Sequence, residues 1–434
     1  MNPTITIYSP FTSNRLMYVL DWVFKTRIGV SYTLTNNIAD INTDAHCIVY
    51  GNTHESAISI PSSGLLQKTG IQQHEIKTGE WKGITTLYAA EGNYTIPFDI
   101  FSAVFFLLSR YEEYFSFTPD KHGRYPATDS ILYKNNILEQ PVIDEWIEQL
   151  RAALIQKGLF TKAQRFSFLP TYDIDIAWSY KNKGLKRSIG GFIKDILSGR
   201  MSAVINRLTA TSDKDPYYSF DSIAALHKKY NYTPIYFVLA ALQTGEFDKN
   251  ISPSHSAMKK LIQQFSHEGI LGVHPSYNMN IHAQLLTDEK SALEKISGIT
   301  ITQSRQHYIR LWFPQTYKQL MAAGITDDYS MGYGTHLGFR AGTGNPFRWY
   351  DLEKEEVTNL YVHPFCFMDS TAHYELNLTA ADAFKRLEKM SASSKNTNSR
   401  LITVFHNFSL GTDAEWKGWP EAYAAFLKRM AKQN

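Results

Sequence analysis

Cysteine is nearly absent: the 434 residues contain two, Cys47 and Cys366. Both sit in apolar company, Cys-Ile-Val-Tyr and Phe-Cys-Phe-Met, so buried free thiols are expected and nothing in the sequence supports a disulfide between them. Long apolar runs are also missing. The most apolar stretch, Ile100 to Leu108, is far below the ~20 residues a membrane helix needs. The N-terminus, Met-Asn-Pro-Thr-Ile-Thr-Ile-Tyr, lacks the basic and apolar regions of a signal peptide, so a cytoplasmic location is expected. Charge of one sign is lacking as well: the net charge is +3 and no Lys/Arg block occurs that could track a phosphate backbone. Nucleic acid is thereby excluded as an expected partner. There is no internal repeat and no low-complexity tract.

What is present describes a globular chain of two domains or three, with 43% hydrophobic and 20% charged residues. Aromatics reach 14%, with 26 Tyr, 25 Phe and 8 Trp. In such numbers they fill cores and also line clefts that stack on sugars or bases. Residues 1–160 read as a smaller α/β domain. Thr4 to Ser9 and His46 to Tyr50 pattern as strands. Pro97-Phe-Asp99 starts a strongly apolar helix that runs to about Tyr114, and Val142 to Lys157 makes an amphipathic one. A charged cluster (Arg110, Glu112, Glu113, Asp120, His122, Arg124) follows the apolar helix. It reads as an interface or a solvated helix end, with a substrate-channel role as the alternative.

Over 161–434, after a boundary segment at Gly158 to Arg165, strands and helices alternate. Strands are expected at Pro234–Ala240, Gly269–His274, Gly298–Thr302, Leu360–Val362 and Leu401–His406. Helices are expected at Ser252–His267, capped by Ser252, and at Thr316–Ala323, with Ser391–Ser399 as a solvated loop. This alternation predicts a parallel sheet or barrel with its site on the loops after the strands.

Three strands end in reactive side chains. The apolar run Phe166-Ser-Phe-Leu-Pro-Thr-Tyr leads straight into Asp173-Ile-Asp175, and two others end at His274 and His406. Burying a carboxylate is costly unless a metal, a base partner or a donor compensates. Alone, Asp173 and Asp175 could cap a helix or build a polar turn, and a lone strand-end His could be structural. Together, a carboxylate and imidazoles at strand ends suit a divalent metal such as zinc, with a further Asp as base and a further His as acid. That is the chemistry of amide hydrolysis.

Several stretches carry a resemblance to a known family. They are Ser109-Arg-Tyr-Glu-Glu113, Thr171-Tyr-Asp-Ile-Asp175, Gly272-Val-His-Pro-Ser-Tyr277, Ser304-Arg-Gln-His-Tyr308, Gly338-Phe-Arg-Ala-Gly342 and Val404-Phe-His-Asn407. Residues 166–434 resemble the polysaccharide deacetylases of NodB homology, carbohydrate esterase family 4, and these stretches, with Pro97-Phe-Asp-Ile100, extend the likeness to one branch of it over most of the chain. The likeness is strongest to a divergent bacterial branch that carries an extra N-terminal domain. The resemblance implies a distorted (β/α) barrel, with Asp173 as catalytic base, Arg305 (or its rival Arg340) orienting it and His406 as general acid. It implies a metal held by Asp175 and His274, and substrate contacts from Tyr277, Arg340, Asp328, Asn407 and Trp416. The chain departs from the family pattern in two places. Ile174 stands where the second Asp of the first motif belongs, with Asp175 one place later, and Asn278 stands where the second motif histidine belongs. His307 or His282 is the expected substitute. The leading expectation is a metal-dependent hydrolase that removes an acyl group, most simply acetyl, from an amino sugar of a surface polysaccharide or its precursor. A barrel without catalysis that binds a glycan or scaffolds a biosynthetic complex is the second expectation. A glycosidase using paired carboxylates is the third.

Overall fold

The structure is a computed structural model that describes residues 4–41, 46–159, 161, 164–182 and 211–432. Near the N-terminus, β1 (Thr4–Tyr8), β2 (Ser31–Thr35), β3 (Cys47–Tyr50) and β4 (Ile58–Ile60) form a parallel sheet in the order β2-β1-β3-β4. A hairpin of β5 (Thr78–Trp81) and β6 (Ile84–Leu87) follows. It turns through Lys82 and Gly83, both at positive φ (53° and 80°), as a primed two-residue turn requires.

The apolar helix spans Ile100–Leu108 and is buried on every face, with Asp99 accepting from the Ser102 N–H at its start. It ends earlier than the sequence predicts. Arg110 turns left-handed (φ 52°) and Tyr111–Tyr114 is a separate 3-10 turn. This break aims the buried Arg110 guanidinium at Glu113, at Glu112 and at the Arg340 carbonyl.

The larger sheet has nine strands. In chain order they are β7 (Ser167–Ile174), β8 (Ile235–Leu239), β9 (Ile270–His274), β10 (Gln303–Ser304), β11 (Asp327–Asp328), β12 (Phe347–Asp351), β13 (Glu356–Val362), β14 (Phe367–Met368) and β15 (Arg400–His406). Their spatial order is β12-β13-β11-β10-β9-β8-β7-β15-β14. Only β12 runs antiparallel to its neighbour, so the carboxyl ends of the other eight lie along one edge. Among the described residues no pairing joins β12 to β14. In register, His406 faces Asp173 across β15 and β7, and His274 faces Leu239 across β9 and β8. Gly272 in β9 is required by packing, since a Cβ there would stand 2.5 Å from the Phe237 ring.

One apolar core takes residues from both regions, from Ile5 to Met430, and Cys47 and Cys366 are buried free thiols within the fold. Buried polar nodes join the regions. Glu113 pairs with Arg110 and with Arg340, and Asp144 accepts from Thr343, Asn345 and Ser399.

Three local expectations are corrected. Ser391–Ser399 is not a loop but largely the end of a helix, Ala380–Asn396. Its Ser391 and Ser394 are buried, and Ser391 lies 3.3 Å from the Met430 sulfur of the C-terminal helix. The helix expected from Ser252 begins at Ser256, with the His255 ring accepting from the Ala257 N–H. Gly298 is the left-handed cap of helix Gln284–Ser297, so no strand forms over Gly298–Thr302 and the two-residue β10 follows it at Gln303–Ser304.

Candidate active site

The sheet edge assembles the site from five strand ends. β7 delivers Asp173 and Asp175, which lie on one face because strand side chains alternate, while Ile174 between them is wholly buried. Asp173 Oδ1 accepts from Arg305 Nη1 at 2.8 Å. Arg305, just past β10, is wholly buried and fixed from three further sides. Its Nε donates to the Tyr329 carbonyl at 2.9 Å and Nη1 donates to Thr171 Oγ1 at 2.8 Å. The guanidinium carbon lies 4.4 Å from the Phe237 ring centre, over the ring that Gly272 leaves room for. A buried guanidinium held in this way gives Asp173 one orientation, with Oδ2 lying 3.9 Å from His274 Nε2.

Three imidazoles converge on Asp175. Its Oδ1 is 3.1 Å from His274 Nε2, and Oδ2 is 3.6 Å from His307 Nε2 and 3.4 Å from His406 Nε2. Each ring is oriented by an acceptor on its far side. His274 Nδ1 is 2.6 Å from the Arg305 carbonyl, which can only accept, so Nδ1 carries a proton and Nε2 is the nitrogen turned toward Asp175. His307 Nδ1 is 3.1 Å from Asp248 Oδ1. His406 Nδ1 is 2.6 Å from Asp369 Oδ1, and Asp369 Oδ2 accepts the His406 backbone N–H at 2.7 Å. A carboxylate or carbonyl behind an imidazole is the arrangement that orients metal-binding histidines.

Burial opposes charge on Asp175, His307 and His406, and their charged neighbours override it. The facing His307 and His274 rings bring Asp175 well below the usual carboxylate range. Asp175 and Asp248 raise His307 to about 9 despite its burial, and Asp369 with Asp175 raises His406 well above its ordinary value.

Asp175, His274 and His307 form a group that could hold a metal ion, with one donor atom from each and all three within 4.8 Å of one another. The donor set fits a divalent ion of borderline softness, being one carboxylate and two imidazoles with inward Nε2 atoms. The buried Asp175 Oδ1 has no hydrogen-bond partner, which a metal ion would supply.

These groups floor a cleft of about 280 Å³, which Lys121, His122, Tyr308, Tyr374 and Phe408 help to wall. Phe408 stacks on His406 at 4.8 Å and 21°. Of the residues expected to contact substrate, Asp328 is buried, accepting from Ser330 Oγ at 2.7 Å and from the Tyr317 hydroxyl at 3.1 Å; burial pushes its pKa up to about 6. Arg340 is spent on Glu113 and the Gly332 carbonyl. Asn407 donates to the carbonyls of Ile176 and Tyr217, fixing the segment after β7. Trp416 packs in the interior against His373 and Trp419. None of these four lines the cleft. Tyr277 stands beside it, stacked at 4.0 Å on Phe247, which does line it. Asn278 and His282 are exposed, and His307 is the histidine that joins Asp175 and His274.

Sequence reasoning missed Asp248 and Asp369, the carboxylates behind His307 and His406. Asp369 follows β14, a strand of only two residues, too short for the strand-end criterion that found Asp173.

Residues 5–159 match a family of unknown function, DUF7033. No curated protein matches the chain. Solved structures similar to it are mostly polysaccharide deacetylases. One, from Mycobacterium smegmatis, is described as a polysaccharide deacetylase; it is 13% identical with a TM-score of 0.42, over 62% of this chain and 85% of that one. The polysaccharide deacetylase Bc1974 of Bacillus cereus is 9% identical with a TM-score of 0.29, over 61% and 88%. The Puue allantoinase is 12% identical with a TM-score of 0.39, over 62% and 85%.

Proposed function

We propose that the protein is a metal-dependent hydrolase that removes an N-acyl group, most simply acetyl, from an amino sugar of a surface polysaccharide or its precursor. The observation that carries this reading is one carboxylate and two imidazoles within 4.8 Å of one another, flanked by an Arg-held Asp on one side and an Asp-held His on the other. In this reading residues 161–434 are a distorted (β/α) barrel preceded by an α/β domain over 1–160, a division supported by the family match over 5–159.

Asp175, His274 and His307 hold the metal, for which zinc suits the donor set. When bound, it polarises the acyl carbonyl and makes water more acidic. Asp173, oriented by Arg305, takes the proton of the attacking water as oxygen bonds to the acyl carbon. His406 Nε2 gives a proton to the sugar nitrogen as the C–N bond breaks. Carboxylic acid and free amino sugar leave together, and Asp369 stabilises the charged form of His406 until that transfer.

The test is the metal content of protein purified without chelator, measured beside His274→Ala, together with acetate release from N-acetylated oligosaccharides. About one equivalent of divalent ion per chain, lost in the variant along with acetate release, is expected. Wild-type protein with no metal would overturn the reading and leave a glycan-binding barrel without catalysis.

A further inference from the structure

The region before the large sheet reaches into the cleft through one short loop, residues 120–124. Asp120 builds this loop from within: its Oδ1 accepts from the backbone N–H groups of His122 and Arg124, each at 2.9 Å, and its carbonyl accepts from the Gly123 N–H at 2.8 Å. Gly123 sits at φ +77°, a conformation that favours glycine, and a Cβ there would press on the Trp312 ring at 3.2 Å.

Four hydrogen bonds then tie the loop to the other wall. Arg310 Nε donates to the His122 carbonyl at 2.9 Å and Trp312 Nε1 to the Gly123 carbonyl at 2.8 Å. Arg124 Nη1 donates to the Tyr308 carbonyl at 2.9 Å, and the His122 ring meets the Tyr277 hydroxyl at 3.0 Å.

What the loop holds is an aromatic surface. It starts at His307, whose ring centre is 4.7 Å from Tyr308. Tyr308 lies 4.7 Å from His122 and 5.4 Å from Phe247, which stacks on Tyr277 at 4.0 Å. Tyr308, His122, Phe247 and Tyr277 are all partly exposed, so they face solvent rather than fill the core. Tyr308 and Ile309 are both left-handed (φ 58° and 55°), a conformation non-glycine residues adopt only when neighbours impose it. Arg124 grips the carbonyl between them. The fold thus keeps a strained backbone in place to present the Tyr308 ring.

We propose that the 120–124 loop turns this surface into a stacking subsite for a second pyranose ring, so that the enzyme selects oligomeric over monomeric amino sugars. Apolar sugar faces lie flat on such rings, and the surface runs outward from the metal group, where a neighbouring residue of a chain would lie. His122 is a positioning residue here, acting through Tyr277 and Tyr308. The inference rests on the reading that the cleft takes an amino sugar.

The test is calorimetric titration of the full chain, treated with chelator so that nothing turns over, with a β-1,4-linked N-acetylglucosamine tetramer and with the monosaccharide. His122→Ala and Tyr308→Ala are expected to weaken tetramer binding about tenfold each and monosaccharide binding much less, while samples not treated with chelator keep the metal content of wild type. His122→Gln, which can still hydrogen-bond to Tyr277, is expected to recover most of the loss. Unchanged tetramer affinity in both alanine variants overturns the subsite, as does a wild type that binds no tetramer. Tetramer binding that responds to both variants, without acetate release by metal-loaded wild type, upholds the subsite and refutes the deacetylase reading instead.

Discussion

Replacing Arg305 with Met should separate orientation of the proposed base, Asp173, from metal binding. The guanidinium is wholly buried and donates three hydrogen bonds, to Tyr329, Thr171 and Asp173. Methionine fills much of the volume but leaves Asp173, 3% exposed as a side chain, as a buried carboxylate without its cation. Breaking such a pair from one side costs about 3–5 kcal/mol. Removing both charges, in Arg305→Met with Asp173→Leu, should cost much less than the sum of the single changes, because neither partner is then stranded. A coupling of about 2 kcal/mol or more is expected from urea unfolding of wild type, both single variants and the double variant. The metal should stay, since His274 is oriented by the Arg305 main-chain carbonyl, which the substitution keeps. Acetate release should fall about 10²–10⁴-fold, the range a positioned acid or base contributes. Single-variant effects that add to within about 0.5 kcal/mol, or metal lost from Arg305→Met, would refute this account of Arg305.

Asp248→Asn keeps the shape behind His307 but not the charge, so metal affinity measured by chelator competition should drop about 10–100-fold. Asp369→Asn should retain the metal and lose about 10²–10⁴-fold in acetate release, since Asp369 touches His406 and none of the three proposed ligands; metal loss in this variant would place His406 among them. His227 is buried against the Tyr172 hydroxyl and burial lowers its pKa to about 4, so it folds neutral. Its contribution is present above its unfolded value near 6.5 and is lost as pH falls toward 4, about 3 kcal/mol in all. His227→Gln should flatten the stability profile between those pH values, and an unchanged slope would rule the residue out as the source.

Three strand ends of the candidate site, at Asp173, His274 and His406, were legible because each follows a run of apolar residues long enough to read as a strand. β7, β9 and β15 have five to eight residues apiece. By contrast β10, β11 and β14 have two residues each, too few for any periodicity, so Asp369 after β14 had no strand to announce it. The helix end at Ser391–Ser399 was hidden for a different reason. Its serines are polar in composition but small, and small side chains let the last helix pack closely on it. Arg340 illustrates the limit of motif reading: Gly-Phe-Arg-Ala-Gly has the composition of a cleft loop, yet its charge is consumed by Glu113 from the charged cluster after the apolar helix. Only the pairing, which joins residues 227 positions apart, distinguishes the two roles.

That pairing bears on whether residues 161–434 could work alone. Cutting the chain at the boundary read from sequence would strand Arg340, which is buried and has Glu113 as its anionic partner. It would also remove Asp144 from Thr343, Asn345 and Ser399, all buried. A single stranded buried charge costs about 3–5 kcal/mol, a large part of the ~5–15 kcal/mol that holds a domain folded. The 120–124 loop adds a second reason, since without it nothing grips the Tyr308 carbonyl and the left-handed pair at Tyr308 and Ile309 is free to relax away from the cleft. The boundary near residue 160 is therefore better understood as the end of the family match over residues 5–159 than as a division of stability. Residues 161–434 expressed alone should be poorly folded, or should bind metal without discriminating oligomer from monomer.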